Sequence, residues 1–92
     1  MNAFAKIFTV IATATLEGFD TVTVWGSGAT TRIRFSSSGR AVNKVVTLDA
    51  PLPFVTRDIR NALEIENWGV ERTGHGLNAL RPTESSVFAT AA

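Results

Sequence analysis

Histidine and the acidic residues are the first side chains to test for chemistry, and they form no catalytic pattern. His75 is the only histidine and stands between two glycines, with no residue close in sequence that could orient it as a base. One histidine and no cysteine exclude the usual zinc sites. Asp58, Glu64, Glu66 and Glu71 could pair as acid and base, but the first three point in different directions around a predicted helix. We therefore expect no enzyme, no metal and no cofactor.

Two segments rich in glycine and serine are the next candidates, because such loops can hold a phosphate. They are residues 26–28 and 36–40. Neither fits a nucleotide-binding motif, since no helix is predicted to begin after either segment. Both are typical of hairpin turns.

The segment Thr21–Phe35 alternates apolar and polar residues on both sides of a glycine-rich turn, which predicts a β-hairpin. A loop around Ser27-Gly28 predicts that Trp25 lies opposite Thr30 and diagonal to Arg32. One face then carries Val22, Val24, Ile33 and Phe35, and the other carries Thr21, Thr23, Trp25, Thr30, Arg32 and Arg34. A slip of one residue would destroy this sorting.

Two interpretations of the polar face stay open. The helix or the C-terminal segment of the same chain could cover Trp25, with the arginines extending over it. Alternatively the face binds a partner, because tryptophan and arginine are enriched at interface hot spots. A single tryptophan there and a net charge of +1 favour a protein partner over a nucleic acid. The residues predicted to bind are Trp25, Arg32, Arg34, Thr23, Arg40 and Lys44.

The composition is that of one small globular domain spanning residues 1–92. Hydrophobic residues make up 45% of the chain and charged residues 18%, which is wrong for a disordered protein. The absence of cysteine favours the cytoplasm, because small extracellular domains usually need disulfides. The stretch Ile7–Thr15 has some features of a secretory signal, but its many β-branched residues favour a strand. We expect no membrane span.

The elements predicted from the pattern give an α+β fold: an antiparallel sheet of four or more strands, beginning with an N-terminal meander, with one helix packed on it. The helix is predicted from Arg57 to Trp68, with Thr56 as N-cap and Gly69 in the left-handed C′ position. The Val45-Val46 pair predicts a bulge or burial on both sides. Strands are predicted at Phe4–Thr15, from Asp20 through the hairpin, at Arg40–Asp49, at Gly69–Thr73 and at Leu77–Arg81.

Apolar residues outside the predicted core indicate a second contact surface. Ile65 and Trp68 do not share the helix stripe formed by Ile59, Ala62 and Leu63. Either the C-terminal segment folds over them, or they meet a second copy of the chain. We predict a homodimer whose interface contains Ile65, Trp68, Val87 and Phe88.

In length, cysteine-free composition and layout, the chain resembles small accessory proteins of phages and mobile elements, of which anti-CRISPR inhibitors are one group. The layout is the hairpin Thr21–Phe35 followed by the helical segment Thr56–Gly69. No motif assigns a role to a single residue. The resemblance implies a non-enzymatic inhibitor that blocks a nucleic-acid-processing complex, such as a CRISPR effector, by occupying its surface.

Overall fold

The computed structural model describes residues 3–38 and 42–81 of the chain. These residues form one antiparallel sheet of five strands, in the order β3-β2-β1-β5-β4, and two helices. The predicted α+β fold is confirmed. The elements are α1 (Ala3–Leu16), β1 (Thr21–Ser27), β2 (Thr30–Ser36), β3 (Asn43–Leu48), α2 (Leu52–Ile65), β4 (Gly69–Arg72) and β5 (Gly76–Leu80).

The segment Phe4–Thr15, predicted as a strand, is helix α1, so that prediction was wrong. The side chains of Ile7, Ile11 and Ala14 repeat at helical spacing and are all buried. β-Branched residues cost a helix only a few tenths of a kcal/mol each, roughly, which this burial outweighs. The hydroxyl of Thr15 donates to the carbonyl oxygen of Ile11 at 2.8 Å and so stays satisfied within the helix.

The β1–β2 hairpin has the predicted faces but a register shifted by two residues. Trp25 lies opposite Arg32, and Ser27 lies opposite Thr30. The two-residue loop begins at Gly28, whose φ of 63° suits glycine at this position of a tight hairpin. Because side chains alternate with a period of two, a shift of two leaves each residue on its predicted face.

Strand β3 is an edge strand that pairs with β2 without interruption. Neither alternative predicted at Val45-Val46 is found, because the pairing has no bulge and the pair is not buried on both sides. Val46 faces the core and is half-buried, whereas Val45 is 53% exposed on the other side. A single exposed valine on an edge strand is tolerated, so strict alternation of polar and apolar residues was not required.

Helix α2 begins at Leu52, five residues before the predicted start at Arg57. Pro51 is the N-cap residue, and Pro53 lies in the first turn, where a missing N–H leaves no hydrogen bond unmade. Thr56, predicted as the N-cap, instead lies inside the helix and donates its hydroxyl to the carbonyl oxygen of Leu52 at 2.7 Å.

Helix α2 ends in a Schellman motif whose left-handed C′ residue is Asn67. The sequence predicted Gly69 at this position, so that prediction was wrong. Asn67 has a φ of 66°, and its N–H donates to the carbonyl oxygen of Glu64 at 3.1 Å. The N–H of Trp68 donates to the carbonyl oxygen of Leu63 at 2.9 Å. This turn directs the chain back, and Trp68 is only 3% exposed.

Both helices contribute to a single core on one side of the sheet. The predicted stripe of α2, Ile59, Ala62 and Leu63, is fully buried. The sheet side of this core consists mainly of Val22, Val24, Ile33, Phe35, Leu77 and Ala79. Within the described ranges, neither helix is long and apolar enough to span a membrane.

Candidate functional site

The side of the sheet that faces away from the core is the candidate functional surface, which we call the open face. None of its described side chains is buried, so no described element covers it. It carries Thr21, Thr23 and Trp25 on β1, Arg32 and Arg34 on β2, Val45 and Thr47 on β3, Glu71 on β4, and Asn78 and Leu80 on β5.

Trp25 lies on β1, the central strand of the sheet, and is half-buried. Its neighbours across the strands are Arg32 on β2 and Gly76 on β5. The guanidinium carbon of Arg34 lies 5.6 Å from the centroid of the indole ring, which is a cation–π contact. The predicted diagonal partner was Arg32; the shifted register makes Arg34 the diagonal neighbour instead.

Gly76 lets β5 approach β1 closely beside Trp25. A Cβ atom at this position would overlap the carbonyl oxygen of Val24 and would lie 3.2 Å from the Cα atom of Trp25. Any other residue would therefore push the two strands apart at the tryptophan. The sequence predicts only a turn at Gly76, because nothing in the sequence shows that β5 pairs with β1.

An open depression of about 360 Å³ lies beside the indole ring. The β4–β5 turn supplies one wall, where the hydroxyl oxygen of Thr73 accepts the N–H of Gly76 at 2.9 Å and the N–H of His75 at 3.3 Å. This turn is therefore held in place by its own hydrogen bonds. The depression is lined by Thr23, Val24, Trp25, Arg34, Thr73, His75 and Asn78.

The charge on the open face is uneven. Among the described residues, neither Arg32 nor Arg34 has a carboxylate within ion-pair distance. Glu71 is the acidic residue of the described open face. It is separated from Arg34 by three strand spacings, about 14 Å in all, with Thr23 and Asn78 between them. On the described parts of β2 and β3, the charged side chains of this face are Arg32 and Arg34, so this side of the sheet is positive.

The structure places four of the six predicted binding residues on the open face: Thr23, Trp25, Arg32 and Arg34. Lys44 is a correction, because it lies opposite the buried Phe35 and so faces the helix side of the sheet. Its ammonium group contacts the carboxylate of Glu17 at 3.0 Å. Alternation along β3 makes this unavoidable once Val45 faces the other way. Arg40 lies outside the described residues.

Of the four residues predicted at a dimer interface, one is buried, one is exposed and two lie outside the described residues. Trp68 is a correction: it is buried, and its indole N–H donates to the hydroxyl oxygen of Thr15 at 3.0 Å. Helical-wheel geometry does not apply to Trp68, because α2 ends at Ile65. Ile65 is 57% exposed. Val87 and Phe88 lie outside the described residues.

The histidine and the acidic residues of the described part of the chain form no candidate metal site. No group of three or more histidine, aspartate or glutamate side chains comes together there. His75 is exposed, and no hydrogen bond to its ring is present in the described residues. What the arrangement can do is present an aromatic ring, two guanidinium groups and a depression to another molecule.

Comparison of the chain with family models, with curated proteins and with solved structures finds no match. The resemblance to anti-CRISPR inhibitors thus stays a prediction. The residues of the open face are therefore the observations that bear on function.

Proposed function

We propose that the chain is a non-catalytic protein-binding module whose open face docks on a partner protein. The observation that carries this proposal is Trp25, half-buried between Arg32 and Gly76 and contacted by Arg34, on a face with no buried side chain among the described residues. A tryptophan in such a position exposes apolar area to solvent without contributing to the core. Binding a partner removes that area from water.

The open face has the composition of a protein interface. Tryptophan and arginine are the residue types most enriched at hot spots. The contact with Arg34 already limits the motion of the Trp25 side chain. Binding a partner would therefore cost less side-chain conformational entropy at this residue. The exposed apolar side chains of Val45 and Leu80 extend the same surface towards both sides of the sheet.

The mode of action that fits such a module is steric blockade. A small sheet whose described residues form no metal-binding cluster would act by occupying a surface that another molecule needs. Together with the resemblance described above, this supports an inhibitor of a nucleic-acid-processing complex, such as a CRISPR effector. It would act in the cytoplasm, in agreement with the lack of cysteine.

The test compares two aromatic residues, half-buried Trp25 on the open face and exposed Phe54 on helix α2. The full-length chain captures proteins from a host extract, mass spectrometry identifies the partner, and its Kd is measured with purified proteins. Trp25→Ala should weaken binding by about 2 kcal/mol, roughly 30-fold. Phe54→Ala, which removes a ring 78% exposed on helix α2, should leave the Kd unchanged. Equal Kd values for the two variants would contradict the proposal.

Nucleic acid is a second candidate, and the observation that favours it is the absence of carboxylate partners for Arg32 and Arg34 among the described residues. The indole ring of Trp25 would stack on a base. A labelled oligonucleotide at about 50 mM salt tests this, because phosphate contacts weaken steeply as salt rises. Absence of binding at low salt would eliminate this function.

The homodimer remains a separate proposal, with less support now that Trp68 is buried. Ile65 still offers exposed apolar surface on α2. Light scattering on the full-length chain should give twice the chain mass, and a mass of one chain would overturn the dimer.

A further inference from the structure

The two arginines of the open face are spaced along one strand. Arg32 and Arg34 are two residues apart on β2, so their Cα atoms are separated by about 6.8 Å and their side chains leave the sheet on the same side. Both are exposed. An extended polypeptide presents the side chains of residues i and i+2 on one side with the same spacing.

Among the residues that the structure describes, no carboxylate pairs with either of these arginines. The ion pairs found in the described residues are Lys44 with Glu17 and Arg60 with Glu64, and neither involves the open face. Arg34 contacts the indole ring, which is a weaker partner than a carboxylate. A ligand that supplies carboxylates would form the charge-assisted hydrogen bonds that the described residues do not provide.

From this complementarity we propose that the partner contributes an acidic segment in extended conformation. Its carboxylates, two residues apart, pair with Arg32 and Arg34, and an apolar side chain enters the depression beside Trp25. This inference rests on the proposed function and specifies the chemistry of the partner.

A polynucleotide fits the same surface less well. A nucleic-acid strand needs cations along its whole track, because every phosphate carries a charge. Apart from these two arginines, the described side chains of the open face are neutral or, in Glu71, acidic. Two cations at one side of the sheet match a short acidic segment better than a long polyanion.

Selection of peptides from a random library tests the inference without requiring that the partner protein be known. A library of random peptides is selected on the full-length chain, with counter-selection on the Arg32→Gln, Arg34→Gln double variant. Enriched peptides should be acidic, with aspartate or glutamate at positions i and i+2. A synthetic peptide from this set should lose at least roughly tenfold in affinity on the double variant. Arg57→Gln, which removes an exposed arginine from helix α2, should leave the affinity unchanged.

The other outcomes overturn the inference and are distinguishable. If the enriched peptides are neutral or basic but lose binding with Trp25→Ala, the acidic segment is wrong and the proposed function stands. If an oligonucleotide binds and no acidic peptide does, the surface serves nucleic acid. If no peptide depends on Trp25 or on the arginines, both proposals fail. Circular dichroism of each variant verifies that it is folded.

Discussion

The two tryptophans of this chain lie on opposite sides of the sheet and have different surroundings. Trp68 is 3% exposed, packs in the core and donates its indole N–H to Thr15. Trp25 is half-buried on the open face, where its polar neighbour is the guanidinium group of Arg34. The same residue type thus serves the stability of the fold at one position and is available to a ligand at the other.

The difference follows from what each residue touches. Trp68 is placed by the Schellman motif of α2, which turns the chain into the space between helix and sheet. Trp25 is placed by strand alternation, which directs it away from Val22 and Val24 on the same strand. Truncating Trp68 should therefore lower mainly the stability of the fold, whereas truncating Trp25 should weaken mainly the binding of a partner.

Trp68→Ala should have the largest effect on stability. Removing a buried indole leaves a cavity, and we expect a loss of about 3–5 kcal/mol in the free energy of unfolding. Urea denaturation followed by circular dichroism measures this loss. Trp68→Phe is the milder variant, because it keeps most of the packing and loses the hydrogen bond to Thr15. A loss below about 1 kcal/mol for Trp68→Ala would place this residue outside the core.

Gly76→Ala should come next and should affect the open face as well. The added methyl group overlaps the backbone of Val24, so we expect a loss of about 1–3 kcal/mol together with weaker partner binding, since β1 must shift at Trp25. Gly74→Ala is the matched control, because a Cβ atom there meets nothing within 4 Å. Similar urea midpoints for the two variants would show that the close approach of β5 to β1 is absent.

Trp25→Ala should have the smallest effect on stability. It removes one cation–π contact and one cross-strand neighbour, which together amount to about 1–2 kcal/mol. The same urea experiment decides the matter. A loss as large as that of Trp68→Ala would mean that Trp25 belongs to a core, and the proposed binding surface would then be wrong.

The open face was predictable from the sequence because alternation is a local signal. The turn was placed one residue too early, which shifted the pairing by two, and an even shift preserves the faces. The arginine that contacts Trp25 was not predictable in this way, since a shift of two exchanges Arg32 for Arg34.

Other features depend on contacts that the sequence does not show. Helix α1 is not predictable from residue types, because its β-branched residues are typical of a strand and only the spacing of Ile7 and Ile11 indicates a helix. The position of Trp68 depends on where α2 ends, and helix ends are hard to predict. The role of Gly76 depends on the pairing of β5 with β1, strands separated by most of the chain.

Quenching of tryptophan fluorescence by acrylamide tests the central claim most directly, because it reports on the full-length chain in solution. Trp68→Phe leaves Trp25 as the only tryptophan, and Trp25→Phe leaves Trp68. We predict that Trp25 is quenched readily and that Trp68 is protected. If Trp25 is protected as strongly as Trp68, its face is covered in solution, and the open face is not the binding surface.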